Sequence, residues 1–380
     1  RRLPRPGLVS QCQPTDSTQE CEARRICSSF AIGHRHVMVD IKRKTRIIEG
    51  LAPDAIPYGD LIREETPAIL KGVAKDWPLA HAGRESAEAA MAHLLSFYQG
   101  RPVVGYTCAP DIKGRYFYND DVTGLNFERG RGQLGDYLDR IREHLGNSDA
   151  PSVYIGSTDA DLYFPGFRAG NDLVLNDPMF EQNPPVVSVW IGNRTTATAH
   201  YDMSNNIACC LVGQRRFTLF PPEQIASLYP GPLEPTPGGQ VVSMVDFQNP
   251  DFESHPRFRE ALDAAQVAEL EPGDALFYPA LWWHHVEALS DFNTLVNYWW
   301  NTSPAYIDTP QNTLLHGLLS LRDRPDQEKR AWKALFDYYV FGPADQAGAH
   351  LPDHARGDLA PMDETRARRL RAKLLQRLNR

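Results

Sequence analysis

Between Val186 and Trp300 the chain carries six short β-type runs, and no other feature restricts its fold as tightly. They are Val186–Ile191, Asn206–Val212, Arg216–Phe220, Ala275–Pro279, His284–Leu289 and Thr294–Trp300, with Gly, Pro and Asn turns between them. Strands this short and this closely spaced point to a sandwich or barrel. Pro230–Gly239, with four prolines and three glycines, reads as a loop. Phe252–Leu270 is expected to be helical, an insertion between strands.

The flanks read differently. Ala68–Leu70 is a short strand before a Gly turn, while Arg84–Tyr98 and Gln133–Leu145 have apolar residues at helical spacing. After Pro304 the chain is expected to be helical at Thr313–Leu321, at Gln327–Phe341 (stripe Trp332, Leu335, Phe336, Tyr339) and from Asp363 onward. In that last helix Leu370, Leu374, Leu375 and Leu378 share one face and basic residues the others. Such a stripe must pack on something, either the barrel or a second subunit, and a homodimer through these helices is expected. The fold class is therefore mainly β with flanking helices and a C-terminal helical region. Four segments are expected: a disordered basic extension over 1–44, an α/β segment over 45–150, a catalytic barrel over 151–303 and the helical region over 304–380.

Charge supports the first boundary. The formal charge of −8 combines an N-terminal stretch with nine basic and four acidic residues up to Lys44 and a remainder with 31 basic against 44 acidic. An acidic body disfavours nucleic acid as a partner. No apolar run approaches the ~18 residues of a membrane span, and no apolar core of a secretory leader is evident. Cys12, Cys21 and Cys27 lack metal-site spacing, and Cys108, Cys209 and Cys210 form no disulfide framework, so a reducing cytoplasm is expected.

The chemistry centres on Ala199-His200-Tyr201-Asp202. On a strand, residues i and i+2 face one side, so His200 and Asp202 would point together into the barrel. His284 or His285 could complete a two-histidine, one-carboxylate triad that suits non-haem Fe(II) oxygenases. The triplet alone is weak, because 12 histidines in a chain with 48 acidic residues are expected to yield roughly 1.5 His-x-Asp/Glu matches by chance. Two occur, the other being His285-Val286-Glu287. Alternation through Ser204 would add Asn206 to the same face.

The surrounding blocks are more specific: AHYD (Ala199–Asp202), GQRRFTLFPPEQ (Gly213–Gln224), LYP (Leu228–Pro230), VDFQNPDFE (Val245–Glu253), PGD (Pro272–Asp274), PALWWHHVEAL (Pro279–Leu289) and VNYWW (Val296–Trp300). In this order they resemble the JmjC-type, cupin-like 2-oxoglutarate oxygenases, and among these the asparaginyl hydroxylases that act on hypoxia-inducible factor. The resemblance spans roughly Pro67 to Trp300. It implies a double-stranded β-helix (cupin or jelly roll), with Fe(II), 2-oxoglutarate as co-substrate, and O2. The family frame Pro-x-x-x-x-His-x-Val, met by Pro279 and Val286, makes His284 the third ligand beside His200 and Asp202. His285 would face the opposite way as a polar residue hydrogen-bonded near the barrel wall. The family's Gly-x-Lys, whose amine pairs with the distal carboxylate of 2-oxoglutarate, is Gly213-Gln214-Arg215 here. Arg215 keeps the charge on a longer, planar head. Tyr154 matches a tyrosine on the same carboxylate, and Asn206 and Asn297 match polar residues near the keto-acid end. The usual hydroxyl three residues before the first ligand is replaced by Ala197, with Thr198 on the inward side. Trp299 resembles an aromatic beside the metal pocket, while Trp282 and Trp283 read as packing.

Two other classes stay open: a metal-dependent cupin that does not use 2-oxoglutarate, and a non-catalytic binding module on the same fold. The substrate is a protein or peptide side chain or a small molecule, and hydroxylation is favoured over demethylation. The segments Ala109–Phe127 and Pro165–Asn183 are expected to wall its groove, with Tyr116, Phe117, Tyr118, Tyr163, Phe164, Phe167 and Phe180 as aromatics.

Overall fold

The structure, a computed structural model, describes residues 41–379. Its N-terminal part comprises β1 (Arg46–Ile48), α1 (Tyr58–Arg63), β2 (Ala68–Leu70), α2 (Pro78–Glu85), α3 (Ala87–Phe97), β3 (Val103–Cys108), β4 (Arg115–Tyr116), β5 (Glu128–Gly132) and α4 (Leu134–Glu143). Then come β6 (Ser152–Asp159), α5 (Ala160–Tyr163), α6 (Met179–Gln182), β7 (Val186–Gly192), β8 (Thr196–Tyr201), β9 (Asn205–Val212) and β10 (Arg215–Phe220). The barrel ends with α7 (Phe258–Ala264), β11 (Gln266–Leu270), β12 (Ala275–Tyr278), β13 (Trp283–Ala288) and β14 (Asn293–Trp300). The tail holds α8 (Pro310–Ser320), α9 (Asp326–Phe336) and α10 (Glu364–Leu378).

The strands form two sheets, β1-β2-β12-β9-β14-β7-β6-β3-β5 and β11-β10-β13-β8-β4. From β7 onward the chain alternates between them: β7, β9, β12 and β14 lie in the larger sheet, β8, β10, β11 and β13 in the smaller. This is the expected double-stranded β-helix. The larger sheet is buried on both faces, which is why its strands read as continuous apolar runs. On β9, Ile207, Cys209 and Leu211 join a core with the N-terminal helices, while Ala208 and Cys210 join Phe217, Leu219, Leu276 and Leu295 between the sheets. Along β14, Val296 and Tyr298 likewise point to the helices, leaving Leu295, Asn297 and Trp299 on the inner face. A third core of Phe220, Val245, Phe258 and Trp283 seals the outside of the smaller sheet. Trp282 and Trp283 are packing residues, as expected.

Three expectations need correction. The helix expected over Arg84–Tyr98 begins only at Ala87: Ser86 is fully extended, ends α2 and caps α3 by accepting the Ala89 amide at 3.0 Å. The helix expected over Phe252–Leu270 stops at Ala264, and Gln266–Leu270 instead pairs antiparallel with β10, placing Glu269 opposite Arg216 at ion-pair distance (3.1 Å). The unpaired edge of β10 outweighs local helical spacing there. The disordered extension expected over 1–44 lies outside the described residues up to position 40, whereas Arg43 and Thr45 already exchange backbone hydrogen bonds with Val267.

The C-terminal stripe is not covered by the barrel. Leu319 is 80% exposed and Phe341 75%, and Trp332, Leu335, Tyr339, Leu374, Leu375 and Leu378 are also exposed. Of the two partners the stripe could have, its own barrel is not the one among the described residues. No described helix is long and apolar enough to cross a membrane. Cys108, Cys209 and Cys210 are buried and free.

Candidate metal and co-substrate centre

Strands β8 and β13 pair antiparallel with His200 directly opposite His284, and a register shift follows between His284 and Val286. The two imidazoles lie with ring centres 4.2 Å apart. Asp202 follows β8 in the turn toward β9, its main chain tied to the turn before β13 by the Leu281 amide (2.8 Å). Its Oδ2 is 3.7 Å from His284 Nε2. One ligand atom from each of His200, Asp202 and His284 falls within 4.8 Å of the others.

The hydrogen bonds around the triad prepare it for a cation. His200 Nδ1 is 2.8 Å from the Thr198 carbonyl, and His284 Nδ1 is 3.0 Å from the Trp282 carbonyl. A carbonyl only accepts, so each Nδ1 carries the proton and each Nε2 keeps its lone pair. Burial, reinforced by the neighbouring His200, holds His284 well below the usual imidazole range, so it is neutral. The Trp299 indole donates to Asp202 Oδ2 at 3.2 Å, fixing the carboxylate. Two neutral imidazoles and one oriented carboxylate match the donor set of non-haem Fe(II).

The triad opens into a cavity of about 840 Å³ between the sheets. Arg215, at the start of β10, lines it and is only 4% exposed, yet its Nε and Nη2 have no hydrogen-bond partner. A buried guanidinium left unpaired is costly, and a carboxylate in the cavity would satisfy it with bidentate geometry. Tyr154 also lines the cavity, stacked on Trp190 at 5.6 Å. Removal from water pushes its phenol up to about 12, with the nearby Arg215 charge pulling the other way. Asn297 donates to Asn206 Oδ1 at 3.0 Å and leaves its own Oδ1 buried without a partner. The residues present therefore fit both groups that the resemblance implies.

All eight expected site residues reach this region, though not always by the expected route. Asn206 does not continue one alternation from His200, because the chain turns after Tyr201 and Asn206 stands on β9 in the opposite sheet. Thr198 faces the cavity, but its hydroxyl donates to the Tyr116 carbonyl (3.4 Å). His285 does face away from the triad, but it is not hydrogen-bonded: both ring nitrogens lack partners and the ring stacks on Phe247 at 4.4 Å.

The expected loop aromatics are mostly elsewhere. Tyr116 lines the cavity, whereas Phe164, Phe167 and Phe180 belong to the core against the helices. Strands supply most of the remaining aromatic wall: Tyr106, Trp190, Tyr278 and Trp299. The Trp299 bond to Asp202 had a faint local signal, since Trp299 lies two residues from Asn297 on β14. Gln240, inside the Pro/Gly-rich region, had none.

Known proteins agree with this geometry. The model of the cupin-like domain family matches residues 54–306. The chain is 30% identical over 212 residues to a lysine-specific demethylase, JMJ31, of Arabidopsis thaliana, covering 49% of this chain and 38% of that protein. It is 34% identical over 253 residues to HSPB1-associated protein 1 of Bos taurus, covering 62% and 48%. Over 106 residues it is 34% identical to tRNA wybutosine-synthesizing protein 5 of Gallus gallus, covering 28% and 30%. The chain thus spans about half, or less, of the length of these relatives.

Proposed function

Because the chain belongs to the cupin-like domain family, we propose that it is an Fe(II)- and 2-oxoglutarate-dependent oxygenase that hydroxylates a protein or peptide side chain or a small molecule. The observation that carries this reading is a tautomer-fixed His200/Asp202/His284 set sharing one cavity with the unpaired, buried Arg215. A cupin that does not use 2-oxoglutarate has no need of a buried cation there, and a mere binding module has no need of an intact triad.

Bound Fe(II) and 2-oxoglutarate supply oxidative decarboxylation by O2, which yields succinate and CO2 and inserts one oxygen into a substrate C–H bond. The protein's part is positioning. His200 and His284 present Nε2 lone pairs, and Asp202, held by Trp299, presents an oxygen; committed to a metal, that carboxylate is no general base. Arg215 pairs with the distal carboxylate of the keto acid beside Tyr154 and Thr198. Asn206 and Asn297 offer amide donors and acceptors at its other end. The walls of Tyr106, Trp190 and Tyr278 keep water from the reacting C–H.

Succinate release from 2-oxoglutarate with Fe(II) and ascorbate tests the proposal. Wild type releases succinate and His200→Ala does not; if wild type neither decarboxylates 2-oxoglutarate nor binds Fe(II), the oxygenase reading fails. The free buried thiols support placement in a reducing cytoplasm. The uncovered helical stripe supports a homodimer through α8–α10.

A further inference from the structure

The cavity has a charge balance that narrows its substrate, an inference that rests on the oxygenase reading. Among the described residues lining it, the only formal charges are Asp202 and Arg215, and its histidines are His200 and His284. With neutral imidazoles, Fe(II) and Arg215 contribute three positive charges, and Asp202 and 2-oxoglutarate three negative ones. The loaded centre is therefore neutral before any substrate arrives.

An ammonium entering such a site gives up its hydration shell without meeting a counter-ion, and a carboxylate fares no better. The ring faces do not offer a substitute cage of the kind that holds alkylammonium ions. Tyr154 stacks on Trp190, Trp190 takes Trp299 edge-on, and Tyr116 takes Phe127 edge-on, so these rings are turned to one another. The remaining polar lining is uncharged: Gln182, Asn183, Gln240, Asn301 and Ser303 carry both donors and acceptors.

We propose that the substrate group admitted to this centre is uncharged, and that lysine or methyl-lysine ammonium groups are excluded. This separates the chain from the chemistry named in its Arabidopsis relative.

The test uses full-length protein loaded with Mn(II) and 2-oxoglutarate without O2, so that no turnover occurs. Butanamide, n-butylammonium and butyrate are titrated separately, and paramagnetic broadening of their proton signals is read. The amide reaches half-maximal broadening at a concentration at least tenfold below that of either ion, about 1.4 kcal/mol of discrimination. A smaller ratio, a preference for the ammonium, or no broadening by the amide at its solubility limit overturns the inference. Water-proton relaxation reports Mn(II) binding in the same sample. Its absence would sink the metal-centre reading instead, so the two failures are distinguishable.

Discussion

Arg215→Met separates a cation kept for a ligand from one kept for the fold. The guanidinium is 4% exposed, with two nitrogens unpartnered. Replacing a buried charge by an apolar side chain of similar volume is neutral or stabilises by about 1–4 kcal/mol. Ligand-free Arg215→Met therefore unfolds at or above the wild-type temperature. An unfolding entropy of ~2.1 cal/mol/K per residue amounts to about 0.8 kcal/mol per kelvin over 380 residues, so the gain reads as up to about 5 °C. In wild type, 2-oxoglutarate at a hundredfold excess over its Kd adds about 2.7 kcal/mol, or about 3 °C. Losing the charged pair costs about 2–5 kcal/mol of binding, so at the same concentration the variant shifts by less than about 1 °C. Differential scanning fluorimetry under nitrogen with Mn(II), with and without 2-oxoglutarate, reads both quantities. A variant that loses more than about 1 kcal/mol without ligand, or keeps the full ligand shift, refutes the assignment.

Trp299→Phe removes the indole donor to Asp202 Oδ2 while keeping an aromatic ring, and weakens Mn(II) binding about 10–100-fold; unchanged affinity would show that the bond does not orient the ligand. Lys71→Met strips the lysine from Asp274, a carboxylate 4% exposed that retains the Gly72 and Glu271 amides, so the loss is about 1–2 kcal/mol in denaturant melts. The Lys71 pKa is raised, mainly by its hydrogen bond to Asp274, so this contribution is complete below about pH 10.5 and lost as pH rises through the raised value. Wild type and Lys71→Met therefore converge in strong alkali, and a constant gap would contradict the pairing. Truncation before Asp363 removes α10 and yields a monomer on a sizing column; a retained dimer would place the interface elsewhere.

What could be read from the chain alone were features set by local periodicity and by residue chemistry. The six β-runs and the turns between them specified two packed layers, because a strand buried on one or both faces must write that burial into its own residues. The ligand residues could be named because few side chains bind Fe(II), and the Pro279–Val286 frame distinguished His284 from His285 through family resemblance. Tertiary structure decided whatever depends on a partner distant in sequence. Gln266–Leu270 became a strand because β10 offered an open edge, and Ser86 split an apolar repeat that looked continuous. Asn206 reached the cavity from the opposite sheet. Arg215 can be recognised as unpaired, Trp299 as the donor to Asp202, and the cavity as charge-balanced only once the sheets face each other. Desolvation and hydrogen-bond satisfaction belong to the enclosed space, and no segment of sequence carries that information by itself.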